Sequence, residues 1–267
     1  MKLTPALAAL AVLAVVAVGC SSDDSSTTTT TSKATTTVAP AATGAVTVSA
    51  AASLTEAFTT IKDRFIAANP GATVTTNFGS SGQLATQIQN GAPADVAAFA
   101  DEAPMTTLAD AGLLAAPPKV FARNELVIVT KPGNPKKVTS LADLATVGTV
   151  SLCAATAPCG KFAGQALTKA GVTIPESSIT RGPDVKAALA AVTQGDAEAA
   201  VVYVTDAKAA GTKVATIEIP TAANVVASYP ITVVKASANP SAARAFEDFV
   251  LGPEGQTALK DAGFLAP

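Results

Sequence analysis

Four short segments of this 267-residue chain place small or hydroxyl-bearing residues at the predicted starts of helices. The segments are residues 50–56, 78–84, 157–160 and 182–186. The first backbone amides of a helix have no partner within it, and the helix dipole adds partial positive charge there. Several helix starts that converge on one point would bind an anion without any basic side chain. The four segments therefore predict an anion-binding site.

The sequence contains no histidine, which argues against the commonest catalytic arrangements. A serine hydrolase needs a base beside its nucleophile, and the sequence has no Gly-x-Ser-x-Gly elbow. A Ser–Lys pair is conceivable, but no lysine stands at a suggestive spacing from Ser53 or Ser81. The net charge of −2 gives no sign of nucleic-acid binding. We expect a binding protein that is not an enzyme and has no nucleic-acid partner.

The first twenty residues have the layout of a secretory signal. Lys2 is their only charge, an apolar run covers residues 7–18, and Cys20 follows three small residues. The run is too short for a stable membrane span and is typical of a cleaved signal. We predict a signal peptide at residues 1–19. The small residues before Cys20 resemble the bacterial lipobox, which implies lipidation of Cys20; an ordinary signal peptide with a stray cysteine is the alternative.

Residues 20–44 are mostly serine, threonine and alanine and lack apolar periodicity. Such a segment cannot bury enough surface to fold, so we predict a lipidated linker that tethers the following domain. The expected location is therefore outside the cytoplasm, anchored by lipid to the outer face of the cell membrane.

Strand and helix patterns alternate through the rest of the chain. Leu54, Phe58, Ile61 and Phe65, for example, mark one face of a helix. Alternating β and α units predict an α/β fold with parallel-rich sheets covered by helices. Two rounds of alternation predict two lobes, with the site in the cleft at the carboxyl ends of strands. The predicted lobes are residues 45–128 with 226–267, and residues 129–225.

Two side chains and one backbone amide in or near these segments are candidates for the site. Ser53 precedes Glu56 by three residues, the spacing of a capping box, and a capping serine keeps its O–H free to donate. A cap without any ligand is the alternative for Ser53. Asp184 is a favoured N-cap, so the Val185 amide would face the anion. Tyr203 ends a predicted strand, where its phenol either reaches into the cleft or is a structural part of the core.

Cys153 and Cys159 are the two cysteines besides Cys20. In an exported chain we predict a disulfide between them, with two free thiols as the alternative. The disulfide would close a short loop and hold the Cys159 amide in place. A preorganised donor costs less to order on binding, so the loop's rigidity is expected to contribute to affinity.

Seven short segments appear in an order that resembles a known family. They are AASL at 51–54, FGSS at 78–81, GAPAD at 91–95, DVKAALA at 184–190, VYVTDA at 202–207, YPI at 229–231 and LGPE at 251–254. In combination, from about residue 45 to the C-terminus, the chain resembles the periplasmic molybdate-binding protein of molybdate ABC importers. The resemblance implies a two-lobed periplasmic-binding-protein fold of type II and a membrane permease as partner. It implies molybdate or tungstate as the ligand, with no cofactor, no metal cation and a monomeric state.

The resemblance also implies a set of hydrogen-bond donors. They are the hydroxyls of Ser53, Ser81 and Tyr203 and the backbone N–H groups of Ser53, Ser81, Cys159 and Val185. The chain departs from the commoner family pattern at Gly82, where a third serine is frequent, and at Cys159, which is often alanine. A site of donors without acceptors fits a fully deprotonated oxyanion and disfavours hydrogen phosphate. A binding protein for sulfate or a small organic anion is the main alternative, and a purely structural lipoprotein is the third.

Overall fold

The structure, a computed structural model, describes residues 41–267. The predicted signal peptide at residues 1–19, lipidation of Cys20 and most of the predicted linker lie outside the described residues. Thr43 and Gly44, the end of that predicted linker, belong to the first strand, where they pair with the second strand. The ordered pairing therefore begins before residue 45. No helix within residues 41–267 is long and apolar enough to cross a membrane.

The described chain alternates strands and helices as the sequence predicts. The elements are β1 (Thr43–Ala51), α1 (Thr55–Ala68), β2 (Gly71–Gly79), α2 (Ser81–Gln89), β3 (Val96–Ala98), α3 (Glu102–Asp110), β4 (Lys119–Asn124), β5 (Leu126–Thr130), β6 (Val150–Cys153), α4 (Pro158–Lys169), β7 (Ile179–Gly182), α5 (Val185–Thr193), β8 (Ala199–Tyr203), α6 (Val204–Ala210), β9 (Ala215–Glu218), β10 (Ala227–Val233), α7 (Pro240–Leu251) and α8 (Pro253–Ala262). Short 3-10 helices occupy Ala52–Leu54, Leu141–Ala145, Glu176–Ser178 and Gly211–Lys213.

The strands form two five-stranded sheets, in the orders β2-β1-β3-β10-β4 and β7-β6-β8-β5-β9. In the first sheet β1 runs parallel to β2 and β3, whereas β10 runs antiparallel to β3 and β4. In the second sheet β6 runs parallel to β7 and β8, whereas β5 runs antiparallel to β8 and β9. Both sheets are mixed and carry helices, which confirms the predicted α/β class with two lobes. We call the unit built on the first sheet lobe 1 and the unit built on the second sheet lobe 2.

The chain passes from lobe 1 to lobe 2 at Glu125, between β4 and β5. It returns between β9 and β10. The predicted end of the first segment of lobe 1, residue 128, falls inside β5, and all of β5 pairs with β8 and β9 in lobe 2. The difference arises because two strands, β4 and β5, follow each other closely at this boundary. A single residue separates β4 from β5. The pattern of apolar residues alone therefore does not show that the two strands belong to different sheets.

Aromatic packing fixes α1 on lobe 1. Phe58 and Phe65 are buried on one face of α1 and contact Phe246 of α7 edge-on, with ring centroids 6.1 and 5.2 Å apart. Phe58 also packs against Phe121 of β4 at 5.8 Å. Buried aromatic side chains supply large apolar contact areas, so α1 is held firmly on its sheet. The turn before α1, which carries Ser53, is thereby held at the edge of lobe 1 that faces lobe 2.

Candidate anion-binding site

One cavity between the lobes is lined by all five residues predicted to bind the ligand. Its walls are residues 51–53, 79–81, 157–159 and 184–185, with Ala100 and Tyr203. About 210 Å³ of atom-free space lies between them, part of it open to solvent. Ser53 and Ser81 belong to lobe 1, whereas Cys159, Val185 and Tyr203 belong to lobe 2. The four predicted segments therefore do begin helices that meet at one place, and their role as ligand donors stays a prediction.

Ser53 lies in the 3-10 helix Ala52–Leu54 and is 3% exposed. The predicted capping box with Glu56 is wrong, because α1 begins only at Thr55 and its N-cap residue, Leu54, makes no side-chain cap. The extra 3-10 turn places Ser53 ahead of the helix, where its Oγ lies 2.9 Å from the Tyr229 hydroxyl. Its backbone N–H stands in the first turn, where no acceptor within the helix is available. Ser53 is thus held by tertiary contact rather than by capping.

Ser81 is the first residue of α2 and is 1% exposed. Its Oγ accepts a hydrogen bond of 3.0 Å from the backbone N–H of Ala100. Because a serine hydroxyl has a single proton, the Ser81 O–H stays available to donate elsewhere. Its backbone N–H, at the first position of the helix, has no intrahelical acceptor. Ser81 therefore offers the cavity one hydroxyl donor and one amide donor.

The Cys159 amide lies in the first turn of α4, which begins at Pro158. The structure contains the predicted disulfide, and the Cα atoms of Cys153 and Cys159 are 5.8 Å apart. Since Cys153 ends β6, the disulfide ties the start of α4 to the end of an interior strand of the second sheet. Gly160 contributes to the same close packing, because a Cβ there would collide with the Ala154 carbonyl. The amide donors of this helix start are consequently fixed in position before any ligand arrives.

The Val185 amide begins α5, as predicted. Asp184 is the N-cap, and its carboxylate accepts a hydrogen bond of 3.0 Å from the Ala187 N–H. The carboxylate is therefore engaged with its own helix. Val185 is 1% exposed, and its N–H has no acceptor within the helix. The helix start presents a donor to the cavity while its one negative group is occupied.

Tyr203 ends β8 and is 1% exposed. Within the part of the chain that the structure describes, its hydroxyl has no hydrogen-bond partner. Burial raises the pKa of Tyr203 well above its ordinary value, and the neighbouring Tyr229 adds to the effect. The phenol thus keeps its proton and remains a donor. An unpaired buried hydroxyl costs about 1–3 kcal/mol. Because the hydroxyl lies on the cavity wall, a ligand that accepts a hydrogen bond from it would remove this cost.

Two ion-pair clusters cross the cleft beside the cavity, and sequence analysis missed both. Lys186 of lobe 2 contacts Glu56 of lobe 1 at 2.7 Å and Asp206 of its own lobe at 2.9 Å. Lys161 of lobe 2 contacts Asp101 of lobe 1 at 2.7 Å. These pairs join positions far apart in sequence, so no local spacing could reveal them. They bring the two lobes together around the cavity.

The charges in the larger cluster influence one another. Burial raises the pKa of Asp206 to about 6, although the nearby Lys186 ammonium acts in the opposite direction. Burial opposes the charge of Lys186, but the Asp206 and Glu56 carboxylates raise its pKa above the ordinary value. Lys186 therefore stays cationic. Its charge is shared between two carboxylates.

The cavity wall depends on hydrogen-bond donors rather than on cationic side chains. Among the described residues that line it there is no lysine or arginine, and its one carboxylate, Asp184, is engaged with its helix. Residues 41–267 also contain no group of three or more His, Cys, Asp or Glu side chains that could hold a metal ion. Hydrogen bonds to an ionised acceptor are about twice as strong as neutral ones, so a wall of donors can offset the desolvation of an anion.

Comparisons with known proteins agree with this architecture. The family model of the bacterial extracellular solute-binding protein matches residues 46–265. The chain is 42% identical over 223 residues to the molybdate-binding protein ModA of Mycobacterium tuberculosis (strain H37Rv), covering 83% of this chain and 85% of that protein.

Two solved structures share the fold. The periplasmic molybdate-binding protein of Azotobacter vinelandii has a TM-score of 0.73 and 23% identity, covering 83% of this chain and 99% of that chain. The sulfate-binding protein SubI of M. tuberculosis has a TM-score of 0.75 and 22% identity, covering 82% and 86%. These relatives are binding proteins, in agreement with the prediction that this protein is not an enzyme. The chain belongs to the family of bacterial extracellular solute-binding proteins.

Proposed function

We propose that this protein captures molybdate in the cleft between its lobes and delivers it to the membrane permease of an ABC importer. The observation that carries the proposal is the Tyr203 hydroxyl, which is buried, protonated and unpaired among the described residues on the wall of the cavity. Around it stand the hydroxyls of Ser53 and Ser81 and the amides of four helix starts. The identity to a molybdate-binding protein supports the choice of ligand.

The division of the donors between the lobes supports a capture mechanism. An anion that contacts Ser53 and Ser81 on one side and Cys159, Val185 and Tyr203 on the other makes all its bonds only when the lobes are together. A ligand shifts a conformational equilibrium by its difference in affinity for the two states. We therefore infer that molybdate favours the closed arrangement, which a permease could then distinguish from the open one.

Selectivity follows from protonation and size. Molybdate is a fully deprotonated tetrahedral dianion near neutral pH and can accept from every donor in the cavity. Hydrogen phosphate carries a proton, and the one carboxylate in the wall, Asp184, is already engaged with its own helix. An unpaired polar group is costly, so we expect hydrogen phosphate to be disfavoured. Sulfate has the same charge as molybdate and is smaller, so its exclusion depends on the dimensions of the cavity. Tungstate is nearly the same size as molybdate, and we expect it to bind as well.

The proposal includes export and attachment to the membrane. The family is extracellular, and the chain begins with a predicted signal peptide that ends before Cys20. Lipidation of Cys20 would attach a monomeric domain to the membrane that holds its permease. Labelling of cells with a radioactive fatty acid should mark the wild type but not Cys20→Ala. Equal labelling of both would contradict lipidation at Cys20.

Thermal unfolding with a panel of anions tests the proposed ligand. A ligand that binds only the folded state stabilises it by about 4 kcal/mol at a thousandfold excess over Kd. Molybdate and tungstate should each raise Tm strongly, whereas phosphate, and sulfate at the same concentration and ionic strength, should leave it nearly unchanged. Chloride serves as the control for ionic strength. Stabilisation by sulfate equal to that by molybdate would contradict the proposed selectivity.

A further inference from the structure

We propose that Tyr229 is a positioning residue that fixes the Ser53 hydroxyl as a hydrogen-bond donor toward the anion. Tyr229 would do so as the middle member of a directed chain of hydrogen bonds that begins at Asn124, beside the crossing between the lobes. This inference rests on the proposed function of the cavity. It assigns a role to two buried residues that do not line the cavity.

Asn124 sets the direction of this chain of hydrogen bonds. It is fully buried at the end of β4. Its Oδ1 accepts a hydrogen bond of 3.0 Å from the Glu125 N–H. This contact identifies which end of the amide carries the two protons. The Nδ2 group then donates to the Thr205 Oγ1 at 2.9 Å and to the Tyr229 hydroxyl oxygen at 3.4 Å. Asn124 can only donate to Tyr229, because no acceptor lies at that end of its side chain.

Tyr229 in turn donates a hydrogen bond to Ser53. With its oxygen accepting from Asn124, the Tyr229 O–H needs an acceptor, and the Ser53 Oγ lies 2.9 Å away. Burial raises the pKa of Tyr229 above its ordinary value, so the proton stays on the phenol. The ring is held edge-on by Phe264 and Phe121, with centroids 5.3 and 6.3 Å away. This packing fixes the position of the phenol oxygen beside the Ser53 hydroxyl.

Ser53 is the last member of this chain of hydrogen bonds. Because its oxygen is occupied by the Tyr229 proton, its own O–H points to another acceptor, and Ser53 lines the cavity. The backbone N–H of Ala100 holds Ser81 in the same way, through a different element. A serine without such a partner could also turn and accept a proton from a ligand. Tyr229 would thus enforce both affinity for a deprotonated oxyanion and rejection of a protonated one.

A double-mutant cycle on calorimetric Kd values for molybdate tests this role. Tyr229→Phe alone should weaken binding about three- to tenfold. In a Ser53→Ala background the same change should cost less than twofold, because the hydroxyl that Tyr229 positions is gone. In a Ser81→Ala background it should keep its full effect, because Ala100 and not Tyr229 holds Ser81. A cost of Tyr229→Phe that is equal in the Ser53→Ala background, or absent in the wild type, would overturn the proposal.

Arsenate provides a second measurement, since this tetrahedral anion carries a proton near neutral pH. Tyr229→Phe should lower the ratio of the Kd for arsenate to the Kd for molybdate at least threefold, and an unchanged ratio would overturn the donor-only role. If Tyr229→Phe does not fold, Asn124→Leu tests the same chain by the same cycle, with an effect that must again vanish with Ser53→Ala. Failure of the wild type to bind molybdate would instead refute the proposed function itself.

Discussion

Replacing Tyr203 by phenylalanine removes a single oxygen atom from the wall of the cavity. In the ligand-free protein that oxygen is buried and makes no hydrogen bond to any described residue. An unsatisfied buried hydroxyl costs about 1–3 kcal/mol, whereas a phenylalanine of the same shape has nothing to satisfy. We therefore expect the free energy of unfolding of ligand-free Tyr203→Phe to equal that of the wild type or to exceed it by about 1 kcal/mol.

The same substitution should weaken molybdate binding. A hydrogen bond to an ionised group contributes about 1.5–3 kcal/mol, which corresponds to a rise in Kd of about 10- to 150-fold. Stability would be measured by urea unfolding followed by circular dichroism, and Kd by calorimetry. We thus expect Tyr203→Phe to leave the free energy of unfolding unchanged or raised and to reduce the affinity for molybdate strongly. If the Tyr203 hydroxyl were instead a structural part of the core, Tyr203→Phe would lower the free energy of unfolding.

The chain offers a matched control in Tyr229, which is its other tyrosine. The Tyr229 hydroxyl is hydrogen-bonded to Ser53 and Asn124, so Tyr229→Phe should lower the free energy of unfolding by about 1 kcal/mol. A ligand-donor role for the Tyr203 hydroxyl would be refuted if Tyr203→Phe were destabilised as much as Tyr229→Phe while its Kd for molybdate stayed within twofold of the wild type.

Three further predictions concern two other residues of the cavity wall and one residue of the ion-pair cluster beside it. Ser81→Ala should weaken molybdate binding by about 1.5–3 kcal/mol in a calorimetric titration, and a Kd within twofold would remove Ser81 from the ligand shell. Cys159→Ala keeps the amide but loses the disulfide, so affinity should fall by about 0.5–1.5 kcal/mol, the ordering cost of a freed loop; an unchanged Kd would mean that the disulfide does not preorganise the site. The pKa of Asp206 is raised from 3.8 to about 6, so its protonated form is favoured on folding and the stability it adds at low pH is lost as the pH rises through 6. The free energy of unfolding of the wild type relative to Asp206→Asn should therefore fall between pH 4 and pH 7, and a constant difference would contradict the burial of this carboxyl.

Features that depend on neighbouring residues were predictable from the sequence. The buried face of α1 follows from apolar spacing, and the N-cap at Asp184 follows from the residue type and what comes after it. Helices α7 and α8 begin at Pro240 and Pro253, where the fixed backbone angle of proline suits a first helical turn. These signals lie within a few residues of each element, so they can be identified without any information about tertiary structure.

Features that depend on distant partners could not be predicted in this way. Ser53 was expected to cap its helix, but its partner is Tyr229, 176 positions further along the chain. The contact between Lys186 and Glu56 spans 130 positions. The passage of the chain between the sheets is likewise decided by which strands pair, and strand pairing has no signature in a single strand. The gathering of the site residues around one cavity was expected from the two-lobed architecture and from family resemblance, rather than from spacing.

Calorimetric titration of the wild-type protein with molybdate, followed by titration with sulfate, tests most directly the claim that the cavity is a molybdate site. We predict one molybdate bound per chain and a Kd for sulfate at least a hundredfold higher at the same pH and ionic strength. No heat of binding with molybdate, or an equal Kd for the two anions, would contradict the account.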